Sequence, residues 1–345
     1  MILKKLSNAF GPSGCEGDVR DIVIKEIQSF VDELIVDNLG NVICKMTARS
    51  KKNNPLKIMA AAHMDEVGMM ITHADGDGFL HFVKVGGIDD RILPTKAVVI
   101  GPNKINGVII SKPIHLTTVA ERGKVTASND LVIDVGATGK DEALSKCKKG
   151  DYATFATKYR KFGKGMAMGK AFDDRVGCAA LIELIKRGPY PFEFRPIFTT
   201  MEEVGLRGAR VAAFAVKPDV AIVLEATICE DSPKKVDCSS VTEIGKGPAL
   251  TLVDRGLIVN RKLVQFAVRQ ADSIGIPRQF KKPGIGGTDG GAIGMAGEGV
   301  PTLPISVPAR FIHSPISIIK LSDFKHSVDL TENVMRNVTL KKIKR

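Results

Sequence analysis

Leu56-Lys57-Ile58-Met59-Ala60-Ala61-Ala62-His63-Met64-Asp65 is the stretch on which the fold of this 345-residue chain turns. Residues 56–62 are nearly all apolar and follow the breaker Lys52-Asn53-Asn54-Pro55. An apolar run of this length, without polar alternation, fits a strand buried on both faces in a parallel or mixed sheet. It ends on His63, and open α/β sheets place their ligand crevices at the carboxyl ends of such strands.

Working outward, Val19, Ile22, Val23, Ile27, Phe30, Val31 and Leu34 recur at three- and four-residue intervals. That spacing predicts an amphipathic helix after Gly17, with Asp18 near its N-cap, followed by a strand over residues 41–46. From about Thr72 to Gly163 the texture changes to glycines, Val/Ile pairs and turn signals such as Gly86-Gly87 and Asn106-Gly107, the pattern of a small all-β insertion. Helical periodicity returns over residues 176–186, then a strand over 192–200, a helix near 208–215 and a strand over 220–224. Asn260 is placed to cap a helix carrying Leu263, Val264, Ala267, Val268, Ala271 and Ile274. Strands are expected near residues 276–280 and 302–307. Strands alternating with helices mean an α/β fold. The expectation is a central mixed sheet flanked by helices, built from residues 1–71 and 164–345, with residues 72–163 inserted as a β-rich domain.

Composition narrows the function classes. Fifty Lys plus Arg against 38 Asp plus Glu leave a formal charge of +12, which raises nucleic acid as a partner. The basic residues fall in short runs near Lys51, Lys148, Lys161, Lys281 and residues 341–345, without the interleaved aromatics that single-strand binding uses. They read as solvated faces, so no nucleic acid is expected. The six cysteines, Cys15, Cys44, Cys147, Cys178, Cys229 and Cys238, are scattered and include no C-x-x-C pair, which fits a reducing compartment. Polar Ser7, Asn8 and Ser13 interrupt the region where a signal peptide needs an apolar run, and no segment reaches the roughly 18 apolar residues of a membrane span. No membrane association and a cytoplasmic location are expected.

Five groups carry candidate chemistry. His63 and Asp65, two apart on extended chain, face one side, so Asp65 can accept the second ring N–H of His63 and fix which nitrogen faces a metal. Asp173, in Phe172-Asp173-Asp174-Arg175, is either an N-cap or a carboxylate whose two oxygens bridge two cations. In the second reading Arg175 neutralises Asp174 and leaves Asp173 free. Glu202 and Glu203 are adjacent carboxylates behind an apolar strand, and their repulsion and desolvation call for a cation nearby. On extended backbone they diverge, so Glu203 can ligate while Glu202 faces the open side as a general base. Glu225 ends another core strand, where an unpaired ionised group is costly. His313 follows the strand over residues 302–307. Two His and three carboxylates without Cys form an oxygen-rich set suited to paired Zn, Co or Mn ions, and unlike a structural zinc site. Two ions sharing a water suit hydrolysis.

Four motifs then carry a resemblance: His63-Met64-Asp65-Glu66-Val67-Gly68, Gly169-Lys170-Ala171-Phe172-Asp173-Asp174-Arg175-Val176-Gly177-Cys178, Glu202-Glu203-Val204-Gly205 and Phe311-Ile312-His313-Ser314-Pro315. In order and spacing the chain resembles the TET-type metallo-aminopeptidases, metallopeptidase family 42, whose members are often mislabelled as cellulases or endoglucanases and include glutamyl and deblocking enzymes. Phe10-Gly11-Pro12-Ser13-Gly14, Lys112-Pro113-Ile114-His115-Leu116 and Gly286-Gly287-Thr288-Asp289-Gly290 match further. The resemblance implies a zinc-aminopeptidase-like fold and two divalent ions per subunit. It implies that His63 and Glu225 hold one ion, Glu203 and His313 the other, that Asp173 bridges them, that Glu202 is the base and that Asp65 orients His63. Glu225 stands where the family often has Asp, and Gly290 where it often has Ala, so Thr288 and Asp289 enter only as candidate substrate contacts. The resemblance also implies that the insertion is a dimerisation domain and that dimers assemble into a hollow tetrahedral dodecamer acting on peptides. Rival readings are a two-metal carboxypeptidase or deacylase, a glycosidase, which needs two carboxylates but no His ligands, and a basic nucleic-acid-binding protein.

Overall fold

The computed structural model describes residues 1–50, 55–231 and 240–344. Lys52, Asn53 and Asn54 of the breaker, and Cys238, lie outside them.

The strands in chain order are β1 (Glu33–Val36), β2 (Val42–Lys45), β3 (Lys57–His63), β4 (Gly68–Ala74), β5 (Leu80–Val85), β6 (Ala97–Ile100), β7 (Ile105–Ile110), β8 (Val132–Asp134) and β9 (Tyr152–Phe155). There follow β10 (Arg160–Phe162), β11 (Met166–Gly169), β12 (Glu193–Thr199), β13 (Val220–Ile228), β14 (Ala249–Leu250), β15 (Gln279–Phe280), β16 (Thr302–Arg310) and β17 (Ser317–Lys320). A large mixed sheet runs β1-β2-β12-β3-β13-β16-β17-β11-β10, with β14 and β15 attached beside β16. Its centre, β12-β3-β13-β16, is parallel, while the outer strands pair antiparallel.

Burial explains why residues 56–62 lack alternation. Ile58, Ala60 and Ala62 of β3, with Val220, Ile222 and Leu224 of β13, pack into a core with the helices Ile2–Asn8, Gly17–Ile27, Phe172–Lys186, Arg261–Ser273 and Leu321–Asn337. Met59 and Ala61, with Ala221 and Val223, face the opposite way onto the helix Arg207–Val216 and Ile293. Both faces of the sheet are covered, so both sets of positions must be apolar. The small alanines let a second layer approach closely on each side.

β4 to β9 close into a separate antiparallel barrel, β4-β5-β8-β7-β6-β9, with its own core around Met69, Ile71, Leu80, Phe82, Ile100 and Ile133. This is the all-β unit legible in the turn-rich stretch. Residues 68–71 already belong to the barrel, and residues 160–162 pair with β11 in the large sheet.

Asn260 caps its helix as expected, its side chain accepting from Lys262 N and Leu263 N at 2.9 and 3.3 Å. The N-cap of the Gly17–Ile27 helix is Glu16, with Asp18 in the first turn. The strand expected over residues 276–280 shrinks to Gln279–Phe280, because β14, its partner, offers only two residues for pairing. No described helix is long and apolar enough to cross a membrane. The five described cysteines are free thiols.

Candidate metal centre

The parallel strands β3, β12, β13 and β16 share a direction, so the segments that leave their carboxyl ends meet along one edge of the sheet. His63 is the last residue of β3 and stands in register with Thr199, the last of β12. Glu203 lies in the turn that follows β12, and His313, at φ +55°, in the turn that follows β16. Glu225 sits within β13 itself, opposite Ser306, since that strand runs on to Ile228 past the expected end at residue 224. Asp173 comes from the β11 side, just before the regular part of the Phe172–Lys186 helix, where Asp173 and Asp174 keep non-helical backbone.

The tertiary structure brings these five side chains together. His63 Nε2 lies 3.3 Å from Asp173 Oδ1 and 3.3 Å from Glu225 Oε1. His313 Nε2 lies 3.4 Å from Asp173 Oδ2 and 3.1 Å from Glu203 Oε1. Asp173 therefore turns one oxygen to each histidine. Two groups, His63–Asp173–Glu225 and Asp173–Glu203–His313, each have all their ligand atoms within 4.8 Å of one another, and a third such group is His63–Glu202–Glu203.

Electrostatics marks the cluster as incomplete. Asp173, Glu202, Glu203 and Glu225 crowd together, and among the described residues no Lys or Arg pairs with any of them. Glu203 Oε1 and both oxygens of Glu225 are buried without a hydrogen-bond partner. Burial, with Asp173 adding repulsion, pushes the Glu225 carboxyl up to about 8. Burial, Glu225, Asp289 and Glu203 together push Glu202 well above the carboxylate range. Burial alone would lower the imidazoles, but Asp173 and Glu203 raise His313 to about 11, and Glu225, Asp173 and Asp65 raise His63. Every group asks for positive charge at the centre. Orphaned anionic oxygens facing imidazole nitrogens are what divalent cations satisfy, so the residues present fit such ions.

The supporting residues depart from the expected roles in three places. Arg175 does not neutralise Asp174. Its guanidinium donates to the carbonyls of Met64 and Leu6 at 2.9 and 2.6 Å and to Glu66 Oε1 at 3.1 Å. Asp174 instead accepts from His63 N at 3.2 Å and Gly177 N at 2.9 Å, so Asp174, and not Asp173, caps the helix. Asp173 is thus left free by a different device from the one expected. Glu202 and Glu203 do not diverge as on a strand, because Met201 takes φ +55° and the chain turns, bringing both carboxylates into the same cavity. Asp65 Oδ1 stands 3.3 Å from His63 Nδ1, without hydrogen-bond alignment. Its firm bonds are from Ser13 Oγ at 2.6 Å and from the backbone N–H groups of Glu202 and Glu203 at 3.0 and 3.1 Å.

Asp65 is therefore the clamp for the Glu202–Glu203 turn as well as a neighbour of His63. Ser13 and Glu16, which accepts from Met201 N at 3.1 Å, went unread as site residues, although Ser13 lies in the Phe10–Gly14 motif. Thr288 and Asp289 are both 1% exposed, but Thr288 lines the cavity, whereas Asp289 does not and accepts a hydrogen bond from Thr199 Oγ1 at 2.5 Å.

A model of the M42 glutamyl aminopeptidase family matches residues 40–330. The chain belongs to that family. It is a peptidase, a hydrolase acting on peptide bonds. Among related M42 proteins, the lysyl aminopeptidase of Pyrococcus furiosus is 32% identical over 98% of this chain and 96% of its own. The TET aminopeptidase of a marine sediment archaeon, Thaumarchaeota archaeon SCGC AB-539-E09, superposes with a TM-score of 0.93 at 36% identity, covering 99% of this chain and 98% of its own. The TET1 peptidase of Pyrococcus horikoshii, which assembles into a tetrahedron or a large octahedral shell, superposes with a TM-score of 0.87 at 34% identity, covering 98% and 99%. The mixed sheet with its inserted barrel is thus the M42 fold, and M42 membership agrees with a divalent-metal peptidase.

Proposed function

We propose that the chain is a dinuclear metal-dependent aminopeptidase that removes residues from the free N-terminus of peptides. The observation that carries this reading is the pair of ligand groups sharing Asp173, one oxygen to each. His63 and Glu225 with Asp173 would hold one ion, His313 and Glu203 with Asp173 the other, with Zn or Co favoured and Mn admissible for this donor set. Such a pair, when bound, supplies Lewis-acid polarisation of the scissile carbonyl and a water of lowered pKa.

The rest is work for the chain's own side chains. Glu202 lines the cavity with no ion pair among the described residues, and as general base it takes a proton from the attacking water and passes it to the leaving amine. Asp65, through the N–H groups of Glu202 and Glu203, holds that base at the right distance. The anionic wall receives the α-ammonium of the substrate and so reads its free N-terminus.

This last point separates the reading from a carboxypeptidase or deacylase. An aminoacyl reporter substrate should be cleaved, and its N-acetylated form should lose about 100-fold or more in kcat/KM, since blocking removes a charge that the site leaves unmatched. Equal turnover of the blocked substrate would overturn the assignment.

We further propose that the protein assembles through dimers into a dodecamer. Support comes from the shells formed by TET1 of Pyrococcus horikoshii and from Ile114, Leu116 and Val119, exposed at 64%, 68% and 84% in the segment between β7 and β8. Light scattering should return about twelve times the 37.1 kDa of one chain, and a monomeric mass would refute the assembly.

A further inference from the structure

The turn that carries Glu202 is held from outside its own segment. Thr200 N donates to Asn41 Oδ1 at 2.9 Å, Met201 N to Glu16 Oε1 at 3.1 Å, and the N–H groups of Glu202 and Glu203 to the two oxygens of Asp65. Four successive backbone donors thus end on three side chains that come from far away in the sequence. The carbonyls of Thr200, Met201 and Glu202 accept from N–H groups of Gly205, Leu206, Arg207 and Gly208, in the run into the Arg207–Val216 helix. Within this frame Met201 takes φ +55°, a backbone conformation that residues with a side chain adopt at a cost. Its N–H bond to Glu16 is what opposes relaxation there.

Glu16 serves that contact in place of its own helix. It is the N-cap of the Gly17–Ile27 helix, yet its side chain makes no cap bond. Its carbonyl accepts from Val19 N and Arg20 N at 3.0 and 2.9 Å, and Val19, Val23 and Ile27 anchor the helix in the core. The carboxylate turns back instead. Oε1 accepts from Gly14 N at 2.7 Å as well as from Met201 N, and the residue is 4% exposed. Placing an acid there costs desolvation, and a charged acceptor returns stronger bonds to the N–H groups than a neutral one.

We propose that Glu16 is a positioning residue for the general base: by fixing Met201 it sets the place from which the Glu202 carboxylate reaches the attacking water. The inference rests on the reading of Glu202 as that base. Asp65 and Glu16 divide the turn between them, Asp65 holding residues 202 and 203 and Glu16 the strained residue before them. Asp65 also stands beside His63, so its removal disturbs the ligands directly. Glu16 bonds the turn through Met201 N and none of the five ligand side chains, which makes it the cleaner probe. It takes no part in bond breaking.

The test uses the metal-loaded full chain and the best cleaved of a set of aminoacyl-p-nitroanilides. Glu16→Ala should lower kcat about 10- to 100-fold, the scale of a slightly misplaced catalytic group, and keep both metal equivalents. KM should stay within about threefold, because the bound substrate does not depend on the base. Glu16→Gln, whose amide oxygen can accept the same bonds, should restore most of kcat. Glu16→Asp keeps the charge on a shorter arm, should lose kcat in the same sense, and carries the test if Glu16→Ala does not fold. The deciding measurement repeats the Glu16 substitution in a Glu202→Gln background, where kcat should change by less than about twofold, since misplacing a base already removed has no further effect.

An equal fall in both backgrounds makes the contribution of Glu16 purely structural and overturns the proposal. Parental kcat in Glu16→Ala and Glu16→Asp overturns it as well, and so does metal lost in step with activity, which would route the effect through Glu203. The failure of the underlying reading is a separate result: Glu202→Gln with parental kcat would sink the assignment of the base, whatever Glu16 does.

Discussion

Asp173→Asn should release both metal equivalents and abolish peptidase turnover. The reason is the division of labour between its two oxygens, Oδ1 at 3.3 Å from His63 Nε2 and Oδ2 at 3.4 Å from His313 Nε2. An amide offers one neutral oxygen and a nitrogen that cannot ligate, so one half of the centre loses the shared donor and keeps a single carboxylate, and the other has a neutral donor in place of an anionic one. The loss of several kcal/mol of charge stabilisation in the transition state corresponds to a fall in kcat/KM on the order of 10³-fold or more. Emission spectroscopy on the gel-filtered protein would count the metal, and a chromogenic aminoacyl substrate would follow turnover. Although burial opposes it, His313 and His63 hold the Asp173 carboxyl well below the usual carboxylate range, so the variant also loses those two contacts and should melt somewhat lower than the parent stripped of metal. A variant that kept two equivalents and full activity would end the bridging assignment.

Glu202→Gln probes a different function in the same cavity and should leave the metal content at the parental level. The substitution preserves shape and removes only the capacity to take a proton. Loss of general-base catalysis is worth about 10²- to 10⁴-fold, and it should appear in kcat, with KM little altered, because the transition state and not the bound substrate suffers. Glu202 is distinguished from its neighbours by position: Asp173, Glu203 and Glu225 each approach a histidine in an ion pair, whereas Glu202 makes none among the described residues. Near-parental kcat with both ions present would assign the base elsewhere. Metal lost together with activity would make Glu202 a ligand, an outcome that the His63–Glu202–Glu203 group renders specific enough to detect.

Together the two variants separate holding the ions from moving the proton. Both depend on a frame that extends well beyond the ligands. Asp65 bonds Ser13 and the Glu202–Glu203 turn. Glu66, next to it, accepts from Arg175 at 3.1 Å and Thr154 of the barrel at 2.8 Å and pairs with Lys170 at 2.5 Å. His63, Asp65 and Glu66 therefore lie on one short segment that joins the site to the domain inserted beside it.

Much of this was legible in the residues alone, and the reason is local. Residues 56–62 announce a doubly covered strand because burial on both faces leaves no place for a polar side chain, and Ile58, Met59, Ala60, Ala61 and Ala62 are all 0–1% exposed. Residues 261–273 announce a helix because one face must be apolar every three or four positions, and Asn260 marks its start through its own bonds to the first free N–H groups. Four of the five donors could be named for a similar reason, since His63, Glu203, Glu225 and His313 are polar groups close after apolar strands, where a partner makes them tolerable, whereas Asp173 is read from the start of a helix.

What the chain left open depends on partners far away in the sequence. Arg175 lies beside Asp174, and adjacency favours that pair, yet its guanidinium reaches Glu66, 109 residues distant. Lys281 reads as a surface charge because composition carries no depth, and only packing against the Gly286 loop shows it nearly buried. Local periodicity is set by which face of an element meets water, and each segment records that for itself. The pairing of charges is set by the order of the strands in the sheet and by the loops at their ends, and no single segment contains that information.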